Sequence, residues 1–181
     1  MFALKYQGLY KRIRFSLTLE AQWAAFFDMV EWPWRYNPPI EGCIPSFILD
    51  FPSPLLVEAG AFARSGKFPN EWAIPQYVED QIRSSRWGGD YAVFGQSPVQ
   101  DGGRTLLGVL CSKDSSYRGD VAVHTCTCCR QWAFHTPRGA CCLCGASAAG
   151  LALSFERVNV NWREAGIRIT ERKYRTKHHV L

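Results

Sequence analysis

The chain has 181 residues, 47% of them hydrophobic and 14% aromatic, which is enough apolar material for one core and a small appended module and excludes a disordered tail. Its formal net charge of +5 gathers in two places, Lys5 to Arg14 and Arg163 to His179, where contact with phosphate and plain surface solvation are both served. No stretch reaches the roughly 20 apolar residues of a membrane-spanning helix, and the N-terminus has no apolar run before a small-residue cleavage site. The sequence therefore predicts a soluble, cytoplasmic protein with no membrane contact.

The first strong element runs from Thr18, read as an N-cap, through LEAQWAAFFDMVE. Leu19, Trp23, Phe26, Phe27 and Val30 recur at helical spacing and form one apolar face for packing on a sheet. The extended runs WRYNPP, IPSFILDF and PLLVEAGAF follow, separated by Pro, Gly and Asn, and read as two or three strands. The stretch IPQYVEDQIRSSR carries Tyr77, Val78 and Ile82 at helical spacing and is expected to stop at Gly88-Gly89. DYAVFG and LLGVL are further strands. The order of elements predicts an α/β fold in which helices flank a mixed sheet. Beyond Ser112 the composition shifts to Cys, Gly and aromatics. ASAAGLALSFERV reads as helix, and NVNWREAGIRI carries no clear signal.

Six of the eight cysteines lie between Cys126 and Cys144, a clustering that suits reduced, metal-binding thiolates better than a disulfide scaffold. A tetrahedral Zn²⁺ with sulfur about 2.3 Å away needs two close thiolate pairs, each presented by a tight turn. Cys126-Thr-Cys-Cys129 and Cys141-Cys-Leu-Cys144 supply them, with eleven residues between the pairs and Gly145 after the second. The intervening RQWAFHTPRGA reads as a hairpin turning at Pro137, Arg138 and Gly139, and the whole resembles a zinc ribbon. Cys126, Cys129, Cys141 and Cys144 are the predicted ligands of a structural Zn²⁺, since four thiolates leave no position for a catalytic water. Cys128, Cys142, His124 and His135 stay open as substitutes.

The segment from Leu19 to Pro98 resembles a PD-(D/E)XK nuclease-like domain of the kind found in small phage and mobile-element proteins. The resemblance rests on LEAQWAAFFD with Glu20, the strand pair IPSFILD and LLVEAG, and the later helix and strand ending YAVFGQSP. It implies a restriction-endonuclease-like core in which a Pro-Asp-Phe on one strand and a Glu-x-Lys on the next hold a divalent metal and its water. Mg²⁺ bound by such carboxylates lowers the pKa of a water that attacks phosphorus, and the lysine orients that water or stabilises charge. Here the first motif reads Pro45-Ser46-Phe47 and the second Glu58-Ala59-Gly60. Ser46 is a poor ligand for a hard dication and Gly60 has no side chain, so the vestigial positions Glu20, Ser46, Glu58 and Gly60 predict no Mg²⁺-dependent cleavage.

On this reading 1–111 is the nuclease-like core, 112–147 the ribbon and 148–181 a C-terminal segment with a basic tail. A nuclease-like fold without its metal still offers a binding surface, because affinity for nucleic acid comes mainly from Lys and Arg on phosphate. Arg83, Arg86, Lys113 and Arg118 are the candidate contacts, and Trp132, Phe134 and His135 either stack on bases or pack the ribbon. The expected partner is DNA or RNA, or a nucleoprotein complex of which the chain is a subunit or inhibitor. Two alternatives stand beside this. One is an active nuclease rebuilt around Glu20, Asp50 and Glu58, with Arg64 or Lys67 replacing the lysine, although Asp50 sits about 13 Å along the strand from Ser46. The other is a structural component of a larger assembly held by aromatic surface, such as the Trp32-Pro-Trp34 pair.

Overall fold

The computed structural model describes residues 8–43, 45–60, 74–113, 117–147 and 150–177, with side chains up to Ile169 in the last stretch. Arg64 and Lys67 lie outside the described residues. The chain opens with a hairpin, β1 (Gly8–Tyr10) and β2 (Ile13–Phe15), that the sequence did not announce. Its two turn residues, Lys11 and Arg12, both take positive φ (44° and 69°), a backbone usually marked by Asn or Gly.

Helix α1 (Thr18–Met29) follows. Leu17, not Thr18, is its N-cap, and the Glu20 carboxylate accepts the Leu17 N–H at 2.9 Å, satisfying one donor of the first turn. Trp23, Phe26 and Phe27 are fully buried. The Trp23 ring lies 4.5 Å from Trp162 and 4.9 Å from Phe94, and its indole N–H donates to the Gly95 carbonyl. The helix is thereby fixed between the sheet and a second helix. Glu31, at φ 58°, takes the left-handed position that ends α1 and turns the chain toward the buried Trp32.

The sheet is built from β3 (Trp34–Tyr36), β4 (Phe47–Leu49), β5 (Leu55–Ala59), β6 (Tyr91–Asp101), β7 (Arg104–Cys111) and β8 (Arg118–Cys126), laid side by side in that order. Short strands β9 (Trp132–Ala133) and β10 (Gly150–Ala152) both pair with the end of β8. Every neighbouring pair is antiparallel except β5–β6, which are parallel because α2 (Gln76–Ser84) intervenes in the chain between them. The protein is thus α/β, a mixed sheet with helices on its faces. On one face Phe47, Val57, Ala92, Phe94 and Leu107 meet α1 and α3 (Phe155–Lys177); on the other Leu56, Tyr91, Val93 and Val109 meet Val78 and Ile82 of α2. Both layers follow from period-two alternation along strands buried on two sides.

Three expectations change. α2 stops at Ser84, four residues before the glycine pair, because the Ser85 hydroxyl donates to the Ile82 carbonyl and accepts the Trp87 N–H. Gly150–Ala152 is strand rather than helix: Gly150 pairs with Cys126 and presses its backbone on the His124 ring, where any Cβ would collide. The stretch NVNWREAGIRI, which gave no clear signal, continues the helix expected at SFERV into the long helix α3, whose Val158, Trp162, Ala165 and Ile169 form the stripe against α1. The sheet and one hydrophobic cluster also run unbroken from the α1 region into Cys126, Phe134 and Cys142, so the cysteine-rich segment grows directly out of β8. No helix among the described residues is long and apolar enough to cross a membrane.

Candidate metal centre and carboxylate cluster

Two matching turns present the thiols. After Cys126, at the end of β8, the Arg130 N–H returns to the Cys126 carbonyl at 2.9 Å; after Cys141, the Gly145 N–H returns to the Cys141 carbonyl at 2.9 Å. Arg130 (φ 62°) and Gly145 (φ 71°) occupy equivalent left-handed positions, one residue past each Cys-x-x-Cys. The sulfurs of Cys126, Cys129, Cys141 and Cys144 all lie within 4.8 Å of one another, with Cys126–Cys144 at 3.9 Å and Cys129–Cys141 at 4.0 Å. A tetrahedron with metal–sulfur bonds of about 2.3 Å has edges of about 3.8 Å, so these residues can hold a metal ion.

The turn backbones also prepare the thiols. N–H groups of Cys129 and Cys128 bring the Cys126 thiol down to about 7, and the Ala146 N–H lowers Cys144. Burial instead raises Cys129 and pushes Cys141 up to about 12, the change a bound cation would reverse. Neither spare thiol belongs to the four-sulfur group: Cys142 is buried, its sulfur accepting the Phe134 N–H at 3.4 Å, and Cys128 is exposed beside Cys144, whose sulfur raises its thiol. His124 and His135 face each other with ring centroids 4.2 Å apart, and neither joins the four-sulfur cluster. The His124 Nε2 is buried with no hydrogen-bond partner among the described residues.

A second cluster forms where the resemblance put its vestigial positions. The β4–β5 register sets Ser46 directly opposite Glu58, one step beyond the Phe47–Val57 pair. Glu20 arrives from the first turn of α1. The Ser46 hydroxyl stands 3.1 Å from Glu20 Oε1 and 3.4 Å from Glu58 Oε2, and it accepts the Ala59 N–H at 3.2 Å. Glu58 Oε2 also accepts the Ser46 N–H at 3.2 Å, while Glu20 Oε2 takes the Leu17 N–H and the Tyr36 hydroxyl at 3.0 Å. Glu20 and Ser46 are buried.

One hydroxyl proton serves two carboxylates here, and among the described residues no lysine or arginine pairs with either. Burial, reinforced by the neighbouring Glu20 charge, therefore raises the Glu58 carboxyl to about 7 despite the opposing Ser46 N–H bond. Gly60 contributes only its backbone, donating to Phe94 O at 3.2 Å. Asp50 does not join the cluster. It lies past the far end of β4, where the Arg35 guanidinium binds both its carboxylate oxygens, the shortest contact being 2.6 Å.

The predicted phosphate contacts gather around α2, but most serve the chain itself. Arg86 pairs with Glu41 at 2.7 Å, and Arg118 with Glu79 at 3.3 Å. Lys113 donates its ammonium to the carbonyls of Ser85 and Trp87, just past the α2 C-terminus where a cation is favoured. Arg83 is exposed. In the ribbon hairpin Phe134 is buried against Trp32 and Phe51, whereas Trp132 is half-buried, with its carbonyl accepting the Trp32 N–H at 2.7 Å and the Arg157 guanidinium 5.5 Å from its ring centroid. Sequence reasoning did not find the Arg157–Trp132 contact, because 25 residues separate the two and only the packing of α3 brings them together.

No protein-family model, curated protein or solved structure matches this chain.

Proposed function

We propose that this chain is a nuclease-derived zinc protein that has lost metal-dependent cleavage and acts by binding nucleic acid or a nucleic-acid-handling complex. The observation that carries the reading is the Ser46 hydroxyl lying between Glu20 and Glu58. Helix α1, the antiparallel pair β4–β5, helix α2 and the parallel strand β6 follow one another in the order that the PD-(D/E)XK resemblance implies, and they bring the carboxylate positions of that resemblance together. With an aspartate at 46 three carboxylates would converge there, a ligand set suited to Mg²⁺. With serine there are two carboxylates and a neutral oxygen, and no basic group from the described residues is at hand to orient a water. The Glu58 carboxyl, raised first by burial and further by the Glu20 charge, supports this: near neutral pH a proton neutralises the charge that a dication would otherwise balance.

Four cysteine sulfurs at tetrahedral spacing favour zinc over harder metals, in a structural role that ties the β8 end, the hairpin and the second turn together. The reading implies one zinc per chain by metal analysis of protein purified without chelator. It also implies binding of labelled DNA or RNA that weakens steeply with salt. Failure to bind any nucleic acid at any salt concentration would leave only docking to a protein of a nucleoprotein complex.

The rebuilt-nuclease alternative is weakened by Asp50, which is committed to Arg35. The assembly alternative loses the Trp32-Pro-Trp34 pair as a surface, since Trp32 is buried and Trp34 half-buried.

A further inference from the structure

Beside the first cysteine turn lies a cleft of ≈ 350 Å³ whose walls come from three elements distant in sequence: the turn itself, the end of α1 and the first turns of α3. Arg130, Gln131 and Trp132 form one wall, Arg157 and Asn161 another, and Glu31 stands at the α1 side. Two guanidiniums thus face one carboxylate. Both arginines are exposed, and among the described residues neither forms an ion pair, in contrast to Arg86 and Arg118. The Arg157 guanidinium carbon lies 5.5 Å from the Trp132 ring centroid, so a cation and an indole form one layer of the cleft lining.

The position of Arg130 adds a second argument. It holds the left-handed backbone that Gly145 holds in the equivalent place of the other turn. A side chain there costs about 1 kcal/mol relative to glycine. Nothing in the packing requires that side chain, which is exposed. The turn therefore presents an exposed guanidinium beside the cleft.

We infer that this cleft binds single-stranded nucleic acid, with Arg130 and Arg157 on phosphate and an unpaired base stacked on the Arg157–Trp132 layer. The inference rests on the nucleic-acid-binding reading above and moves its contact surface from the α2 side to the metal-site side. Phosphate explains the two unpaired cations. The half-buried indole with its covering guanidinium explains the preference for single strands, since a base is free to stack on protein only when it is not stacked inside a duplex. Asn161, one turn along α3 from Arg157, supplies an amide for the base edge or sugar.

The test is fluorescence anisotropy of labelled single-stranded DNA, single-stranded RNA and duplex DNA, each about 20 nucleotides long, with the full metal-replete chain across a salt series. The parent should prefer the single strands, and the DNA and RNA arms show which is bound more tightly. The double variant Arg130→Gly/Arg157→Gln should bind at least about tenfold more weakly. Its slope of log affinity against log salt should be shallower by about 1.4, the value for two phosphate contacts on a single strand. Arg157→Lys, which keeps the charge but not the planar stack, should lose affinity with its slope retained. Arg83→Gln/Arg86→Gln should leave both quantities unchanged. Metal content equal to the parent's establishes that the variants are folded, and glycine at 130 suits the turn backbone. Binding by the parent that the double variant fully retains, or that the Arg83/Arg86 variant abolishes, overturns this assignment while the broader reading stands. A parent that binds no nucleic acid overturns both.

Discussion

Replacing Glu58 with glutamine isolates the electrostatic character of the carboxylate cluster. Glu58 is held beside Glu20 with one bridging hydroxyl, and burial, reinforced by the Glu20 charge, raises its carboxyl from the ordinary 4.5 to about 7. Its folded-state pKa is raised, so the folded protein holds more protons than the unfolded chain between those values. Stability from this residue is therefore greatest below pH 4.5 and is lost as pH rises toward 7. A tenfold difference in proton affinity between folded and unfolded chain is worth about 1.4 kcal/mol, so the cost on going from pH 5 to pH 8 is about 2 kcal/mol after allowing for partial exposure. Glutamine has the same shape, its carbonyl can still accept the Ser46 N–H, and it carries no charge at any pH. Urea unfolding of parent and Glu58→Gln at pH 5, 6, 7 and 8, with metal present throughout, gives the difference directly and cancels the pH dependence of thiolate ligation. The variant should gain about 2 kcal/mol over the parent across that range, almost all of it below pH 7.5. A difference that stays flat with pH, or one in which the variant loses ground as pH rises, would refute the placement of a buried, unneutralised Glu58 carboxyl at this site.

Other consequences follow from the packing and the cysteine turns. Cys126→Ser should abolish stoichiometric metal binding and unfold the β8–β9–β10 end, whereas Cys128→Ser should keep one metal per chain; elemental analysis with circular dichroism separates the two. Gly108→Ala drives a methyl into the Val93 backbone on the neighbouring strand, and chemical denaturation should register a loss of at least about 2 kcal/mol. Phe27→Ala empties a fully buried site between α1 and the sheet, with an expected cost of about 3–5 kcal/mol by the same measurement.

The parts of this molecule that could be read from sequence are those whose geometry is local. A Cys-x-x-Cys turn is set by four adjacent residues, so the ligand set was visible as spacing, and the structure brings those same four sulfurs together. The α1 stripe, from Trp23 to Phe27, was visible for the same reason. The carboxylate cluster is not local: Glu20, Ser46 and Glu58 are joined by the register of β4 on β5 and the docking of α1, and only the likeness of whole segments pointed to them. The hairpin at Lys11-Arg12 and the left-handed Arg130 went unread because non-glycine residues occupy glycine-like backbones there. The small-residue run near Gly150 looked helical by composition, yet strand pairing with β8 decided its conformation. In α3 the β-branched residues and Gly166 blurred a stripe that becomes obvious once Trp162 is seen against Trp23. Of the basic residues, sequence could rank charge but not its commitment, and the acids and carbonyls that hold Arg86, Lys113 and Arg118 lie far along the chain.

The most direct test of the central claim is incubation of the metal-replete protein with labelled single- and double-stranded DNA and RNA in Mg²⁺ and in Mn²⁺, resolved on a denaturing gel beside Glu58→Ala. Intact substrate in every lane, from protein that binds those substrates, is the predicted result; cleavage by the parent that disappears in Glu58→Ala would contradict it and make the cluster a working catalytic centre.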